Sequence, residues 1–385
     1  MTRARKCLTA LALFGAAALG CNGLLGIDDG AYAPDTDSGI STNPSESGTG
    51  EGGTLTDAPT SNDAPTDSNL PKNDAGNELL AEDQNGVISL VQDNDNLYWI
   101  SNGTVMTVPK SGSKAPSSIV DVTNAALIAV DPGAASSGNV YVVSGRAISS
   151  HPKVSGTGTP TSVAMLGLNR TAAALGSDGT SLLLIDYDEN TDQAVPKRVA
   201  TTGGTPTALG SAVNVALLGV TATWAAYIDE PSADSNRKAF DVVSPTSGSP
   251  TAHPISNGFS IIPEIRSLFL DSNTMYWLDS STTSSTILRA RDKASNVTDD
   301  IASFSGAEEP FVVVANSGKA YVLLTATSGS NVVGEVVKVQ KGVAGRTSVI
   351  KNLENPTGLV TAGGFVYVGE DRPFSKGTIQ RIAAP

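Results

Sequence analysis

Seven short apolar runs recur along the chain at a nearly constant interval, and that recurrence limits the fold more than any other feature. They are LYWI around Tyr98, VYVV around Tyr141, LLLI around Leu183, AAYI around Ala226, MYWL around Tyr276, AYVL around Tyr321 and VYVG around Tyr367, spaced by 43, 42, 43, 50, 45 and 46 residues. A period of this length is that of one four-stranded unit in a radially repeated sheet. Each unit reads alike: a short apolar strand, an Asp/Asn/Gly turn, the run itself, a polar loop, a third strand and a weaker fourth. In IAVDPGAASSGNVYVV, AALGSDGTSLLLI and SLFLDSNTMYWLD, turn formers separate two apolar runs, as a hairpin requires. Asn102-Gly103 marks a second kind of turn, between the run and the third strand. Third strands such as GTVMTVPKSG, RAISSHPKVSG and EVVKVQKGVAG close on a lysine next to small residues. No stretch between them has helical periodicity.

These observations predict an all-β chain: a seven-bladed β-propeller of four-stranded blades. Six blades are the alternative, because the Ala226 unit is the weakest and is followed by the longest spacing. The last unit stops after its third strand. The segment NELLAEDQNGVISL near its other end resembles the inter-blade piece SVIKNLENPTGLV, so residues 78–82 are expected to supply the missing outer strand and close the ring. Closure removes exposed strand edges. On LYWIS and MYWLD, the region 78–385 resembles YWTD and NHL-type propeller repeats, with Ile100 and Leu278 standing where the YWTD pattern has threonine. That resemblance implies a shape. It leaves the chemistry open, since such propellers include noncatalytic binding domains as well as sugar-lactone hydrolases and lyases.

The first residues give an address. Arg3, Arg5 and Lys6 precede the apolar stretch LTALALFGAAAL, which reads as an export signal too short for a permanent membrane span. The sequence ALGC that follows resembles the lipobox of bacterial lipoproteins, with Ala18 where leucine is usual. The resemblance implies removal of residues 1–20 and lipid attachment at Cys21. Acyl chains at Cys21 would hold the protein in a membrane, two chains sufficing for stable anchoring. Asn22, in place of a retention-type aspartate, points to the outer membrane, with the body facing the periplasm or the surface. Cys7 and Cys21 are the only cysteines, so the mature chain has no disulfide and no thiolate metal site. Of the net charge of −13, most lies between residues 22 and 85, where thirteen carboxylates face Lys72 alone. A basic nucleic-acid footprint is absent. Residues 31–77, rich in Gly, Ser, Thr, Pro and Asp with hardly an aliphatic residue, bury too little apolar surface to offset ordering entropy. The expected layout is a lipidated acidic tether over 21–77, reaching roughly 35–40 Å, and a propeller over 78–385.

Chemistry is sparse. His151 and His253 sit in different units with no metal-binding spacing and no material for a Ser-His-Asp arrangement. The inner strands are apolar except for Glu264 and Arg266, two apart and therefore on one face. They are read as an internal ion pair at the channel mouth, or as an anchor for an anionic ligand. The loops after second strands and between blades carry Asp186, Asp188, Glu189, Asp192, Asp229, Glu230, Asp234, Asp279, Glu308, Glu309, Glu370 and Asp371 on one face, with Lys110, Lys153, Lys293 and Lys341 on the other. Such carboxylates could hold Ca²⁺, but a solvated acidic rim is the favoured reading and no cofactor is expected. Trp99 and Trp277 share a repeat position and are read as packing between blades. The function expected is a noncatalytic binding or scaffold module, with a protein partner. A metal-assisted hydrolase or lyase and a glycan-binding propeller are the alternatives.

Overall fold

A computed structural model describes residues 70–384 apart from 135, 155–158, 192, 211–217, 222–224, 230–237, 243–250, 255–263, 272, 283–284, 293–296, 307, 317, 329–330, 344 and 373–375. The described residues form seven four-stranded antiparallel sheets. We number them as blades 1 to 7 over residues 87–121, 125–165, 170–208, 218–254, 264–305, 309–354 and 356–383. The first strand of each blade is innermost. It touches the first strand of the next blade, and Pro356–Ala362 of blade 7 touches Val87–Gln92 of blade 1. This is a β-propeller of four-stranded blades. The Ala226 unit forms a sheet of its own, Leu218–Val220, Ala225–Asp229, Lys238–Val242 and Thr251–Pro254.

Period-2 alternation of the second strands explains how the blades stack. Tyr98 faces blade 2, where it packs with Ile128, Val130, Val140 and Val142. Trp99, one residue on, faces back to blade 7 and packs with Tyr367 and Ile379. The same division recurs: Tyr141 packs on blade 3, Tyr276 on blade 6 and Tyr321 on blade 7, while Trp277 packs back on Ala226 of blade 4. Trp99 and Trp277 have 0% exposure, as expected for wedges between blades. Each buried aliphatic or aromatic side chain contributes about 1.5–3 kcal/mol, so the interfaces between blades are the core of the protein. Blades 3 and 4 have Leu183 and Ala226 at the tyrosine position, and Gly176 and Gly219 face them across the inner pair. A Cβ at Gly176 would collide with Val220 of blade 4.

Turn chemistry is local and recurs. Asp93, Asp178 and Asp271 each lie at the end of a first strand, with Oδ1 accepting backbone amides two and three residues ahead at 2.7–2.9 Å. These are Asx turns. Asn102 and Gly103 have φ of 49° and 80°, the double positive φ of a type I′ hairpin.

The strand Glu78–Gln84 pairs antiparallel with Gly377–Ala383 as the outer strand of blade 7, two residues longer than the sequence suggests. Gln84 Oε1 accepts the Trp99 indole N–H at 3.1 Å, joining this clasp to blade 1. Arg381 binds the Glu78 carboxylate at 2.5 Å, stacks over Phe365 at 4.7 Å and donates to the Lys110 carbonyl. The chain is docked on this blade before the strand begins: Asn73 and Asn77 side-chain amides donate to Gln380 Oε1 at 3.0 and 2.9 Å, and Leu70 packs into the interface between blades 7 and 1. The part of the chain docked on the propeller therefore begins near residue 70, earlier than the expected 78. Cys21 and the rest of the leader lie outside the described residues.

Candidate functional site

The inner strands carry a device the sequence does not display. A one-residue register shift recurs near the start of the first strand, skipping Ala126, Ala173, Arg266, Phe311 and Thr357 in blades 2, 3, 5, 6 and 7. Blade 1 skips Ser89 and Leu90, with Ser89 at φ 55°. A bulge re-aims the extra side chain and bends the strand. The bulges fall at one level, toward the end of the ring that bears the second-to-third strand turns. Arg266 is the charged member among the described bulges, and it is exposed. The side chain of Glu264 lies outside the described residues, so its pairing with Arg266 stays an expectation.

The carboxylates expected on this face divide into two groups. Asp186, Asp279 and Glu370 stand at one repeat position, three residues beyond Leu183, Tyr276 and Tyr367, and are 0%, 2% and 1% exposed. They do not form a solvated rim; this corrects the sequence expectation. Each is held inside its own blade by a residue of the third strand, two positions past the one paired opposite it. Asp186 binds Lys197 at 2.5 Å and also Arg170 at 2.7 Å. Asp279 binds Arg289 at 3.0 Å, and Arg289 continues to Asp300 at 3.0 Å. Glu370 Oε2 accepts the Gln380 amide at 2.5 Å, the Thr378 hydroxyl at 2.8 Å and Arg372 at 3.2 Å, while Oε1 accepts the Glu354 amide at 2.7 Å. Burial of a carboxylate is tolerable only with such compensation.

The second group reaches solvent. Asp188 receives Arg170 at 3.1 Å and the amides of Asn190 and Thr191, and these bonds hold its carboxyl below the usual range. Glu189 and Glu309 are exposed. Glu308 binds Arg346 and the Ser305 amide, which lower its carboxyl against a smaller opposing effect of burial. Asp371 is half-buried, and that burial raises it. The side chain of Asp229 and residues Asp192, Glu230, Asp234 and Lys293 lie outside the described residues, as does the His253 side chain. No group of three or more His, Cys, Asp or Glu that could hold a metal occurs among the described residues.

On the opposite face, sequence reasoning missed a buried ion pair. Lys153 was expected in a turn; its ammonium is 0% exposed, 2.8 Å from Asp93 of blade 1 and 2.7 Å from the Asp131 carbonyl. Tyr98 donates to the same Asp93 oxygen at 2.7 Å. Asp131 in turn accepts Ser177 of blade 3 at 2.7 Å and Tyr141 at 3.1 Å. Three blades are thus stitched by one polar chain. Burial alone would raise Asp93, but Lys153, Tyr98 and two backbone amides outweigh it and hold the carboxyl low. His151 lies 2.8 Å from the Ser149 hydroxyl through Nε2, in a strand packed against blade 1. It is 5% exposed, and burial lowers its basicity. Among the described residues no carboxylate bonds to that pair, and its burial makes it packing.

Fold and site together define a β-propeller with a polar loop face and a channel mouth shaped by bulges. Solved structures agree with that class. The chain is similar to an oligogalacturonate lyase from Vibrio parahaemolyticus, with a TM-score of 0.57 and 8% identity over 82% of this chain and 95% of that one. It is similar to a puromycin-hydrolyzing peptidase from Mycobacterium tuberculosis, with a TM-score of 0.56 and 9% identity over 77% of this chain; it spans about half, 51%, of that one. The propeller domain of the Trilobed protease from Pyrococcus furiosus gives 0.51 and 7% over 78% and 95%. At these identities the likeness is one of fold. No protein-family model and no curated protein matches the chain.

Proposed function

We propose that this is an exported propeller, lipid-anchored at Cys21 in the outer membrane, that acts as a noncatalytic binding or scaffold module for a protein partner. The observation that carries the reading is the fate of the conspicuous carboxylates. Catalysis by a metal-assisted hydrolase or lyase would need several of them converging on one cation, whereas Asp186, Asp279 and Glu370 are each committed to a cation or amide of their own blade. What the same face offers to solvent is spread around the ring: Arg266 at the bulge level and Glu189 and Glu309 in separate blades. Dispersed charges of this kind suit a broad partner surface better than a small substrate.

The test compares the native protein with Cys21→Ser and with a face variant, Glu189→Lys combined with Arg266→Glu and Glu309→Lys. In detergent phase partition the native chain is expected in the detergent phase and Cys21→Ser in the aqueous phase. Crosslinking in cells should capture one stoichiometric partner that the face variant loses while staying folded. Identical partition of native and Cys21→Ser chains would remove the anchor. Unchanged capture by the face variant would remove the proposed surface, and turnover of oligogalacturonate or a sugar lactone would replace the noncatalytic reading.

A further inference from the structure

The repeats provide an internal comparison on the face opposite to the proposed partner surface. At the interface of blades 1 and 2, Asp93 Oδ1 caps the turn, and Oδ2 accepts both the Tyr98 hydroxyl and the Lys153 ammonium. Blade 5 repeats the first part of this arrangement. Asp271 Oδ1 accepts the Asn273 and Thr274 amides at 2.8 and 2.7 Å, and Tyr276 follows five residues on, 6% exposed. The lysine that should complete it is Lys341 of blade 6. Lys341 stands two residues after Val339, which pairs with Ala320, as Lys153 stands two after His151, which pairs with Val140. Lys341 does not enter. Its ammonium lies 2.5 Å from Asp299 on the outer strand of blade 5, with 58% of the side chain exposed, where Lys153 has 0%.

The space left between blades 5 and 6 is a cleft of about 210 Å³ lined by Thr274, Tyr276, Asp292, Asp299 and Lys341, among others. That is room for several waters, and for a lysine-sized alkyl chain. Asp292 and Asp299 pair across the sheet with Thr274 and Ala290; the matching positions of blade 1, opposite Asn96 and Thr107, are Pro109 and Ser117. Two carboxylates have therefore been added where the filled interface has none. Asp292 uses Oδ1 for the Thr274 hydroxyl at 3.0 Å, and among the described residues no hydrogen bond joins the Tyr276 hydroxyl to Asp271 of the kind Tyr98 makes to Asp93. Burial, then the charges of Asp271 and Asp292, push the Tyr276 hydroxyl upward, so it stays a neutral donor and acceptor.

The geometry points to a binding site for a primary ammonium group in this cleft, with Asp292 and Tyr276 receiving the cation; Asp271, outside the lining residues, holds the repeat position of Asp93, which receives Lys153 in blades 1 and 2. A free small amine or a lysine side chain of another protein would present the same group.

Calorimetric titration of the full chain with Nα-acetyl-lysine-N-methylamide tests it, with the norleucine counterpart and n-butylamine as comparisons. Saturable binding of the lysine derivative, with none of the norleucine derivative, is expected. Binding of butylamine as tight as that of the lysine derivative would identify a small amine as the source, and tighter lysine binding a protein side chain. The double variant Asp271→Asn with Asp292→Asn keeps the acceptor oxygens used by the turn and by Thr274; it should weaken binding about tenfold or more, as loss of charge-assisted bonds implies. Lys341→Met removes the competing cation at the lip and should tighten binding. Equal heats for lysine and norleucine derivatives, or binding that the double asparagine variant leaves unchanged at an unaltered unfolding midpoint, would overturn the assignment.

Discussion

Lys153 and Asp93 show what a single buried charge does in this ring. Lys153→Met strands the Asp93 carboxylate between two blades, and breaking such a pair from one side costs about 3–5 kcal/mol; denaturant unfolding of the variant measures it. Asp93→Asn in the same background should recover part of the loss. The pair also sets an acid limit. Its carboxyl is held below the ordinary value of 3.8, so the stabilisation is fully present above 3.8 and is lost as pH falls through the lower folded value. His151 acts higher on the scale. Burial keeps it neutral below its ordinary 6.5, so the unfolded chain takes up more protons there and stability falls as pH drops below 6.5. His151→Gln should flatten the urea midpoint between about pH 5 and 6.5. None of this was legible beforehand. Lys153 reads as a turn lysine because its partner lies 60 residues away in another blade, and composition says nothing about which blade a side chain enters.

At the scale of the strand, much was legible. Second strands and their turns follow from alternation and from Asp, Asn and Gly placed where local bonds need them, so Asp178 and Asn102-Gly103 could be placed from sequence. The bulges could not, because a bulge is a mismatch between two strands and neither strand alone records it. For the same reason Asp186, Asp279 and Glu370 looked like rim residues. The signal that could have corrected this is Lys197, Arg289 and Gln380, which recur at one position of the third strand, two residues past the one paired with the acidic position. Close approach also leaves a mark: where the second strand lacks its tyrosine, the inner strand has glycine. Gly176→Ala should destabilise by about 1–3 kcal/mol, the usual cost of overpacking, because its methyl meets Val220 of the next blade. Val220→Ala introduced with it should recover part of that loss in thermal unfolding.

For the molecule as a whole, the clasp decides whether the blades behave as one cooperative unit. A chain starting at Val87 removes the outer strand of blade 7, the Gln84 acceptor of Trp99 and the Glu78 partner of Arg381. Its Gly377–Ala383 strand becomes a bare edge. Such a chain should unfold over a broader denaturant range with a smaller slope, and should associate in size-exclusion chromatography. Tryptophan emission reports the change directly, since Trp99 sits at that seam. Order of synthesis gives the clasp another meaning. The ribosome delivers Glu78 early and Arg381 about 300 residues later, so blade 7 waits for its partners until nearly the whole ring has emerged. A product stopped or nicked before Gly377 leaves both Glu78–Gln84 and Phe365–Glu370 without the strand between them. Damage at the late end is then felt at the early one, and proteases meet an unlatched ring instead of a protein that has merely lost its tail.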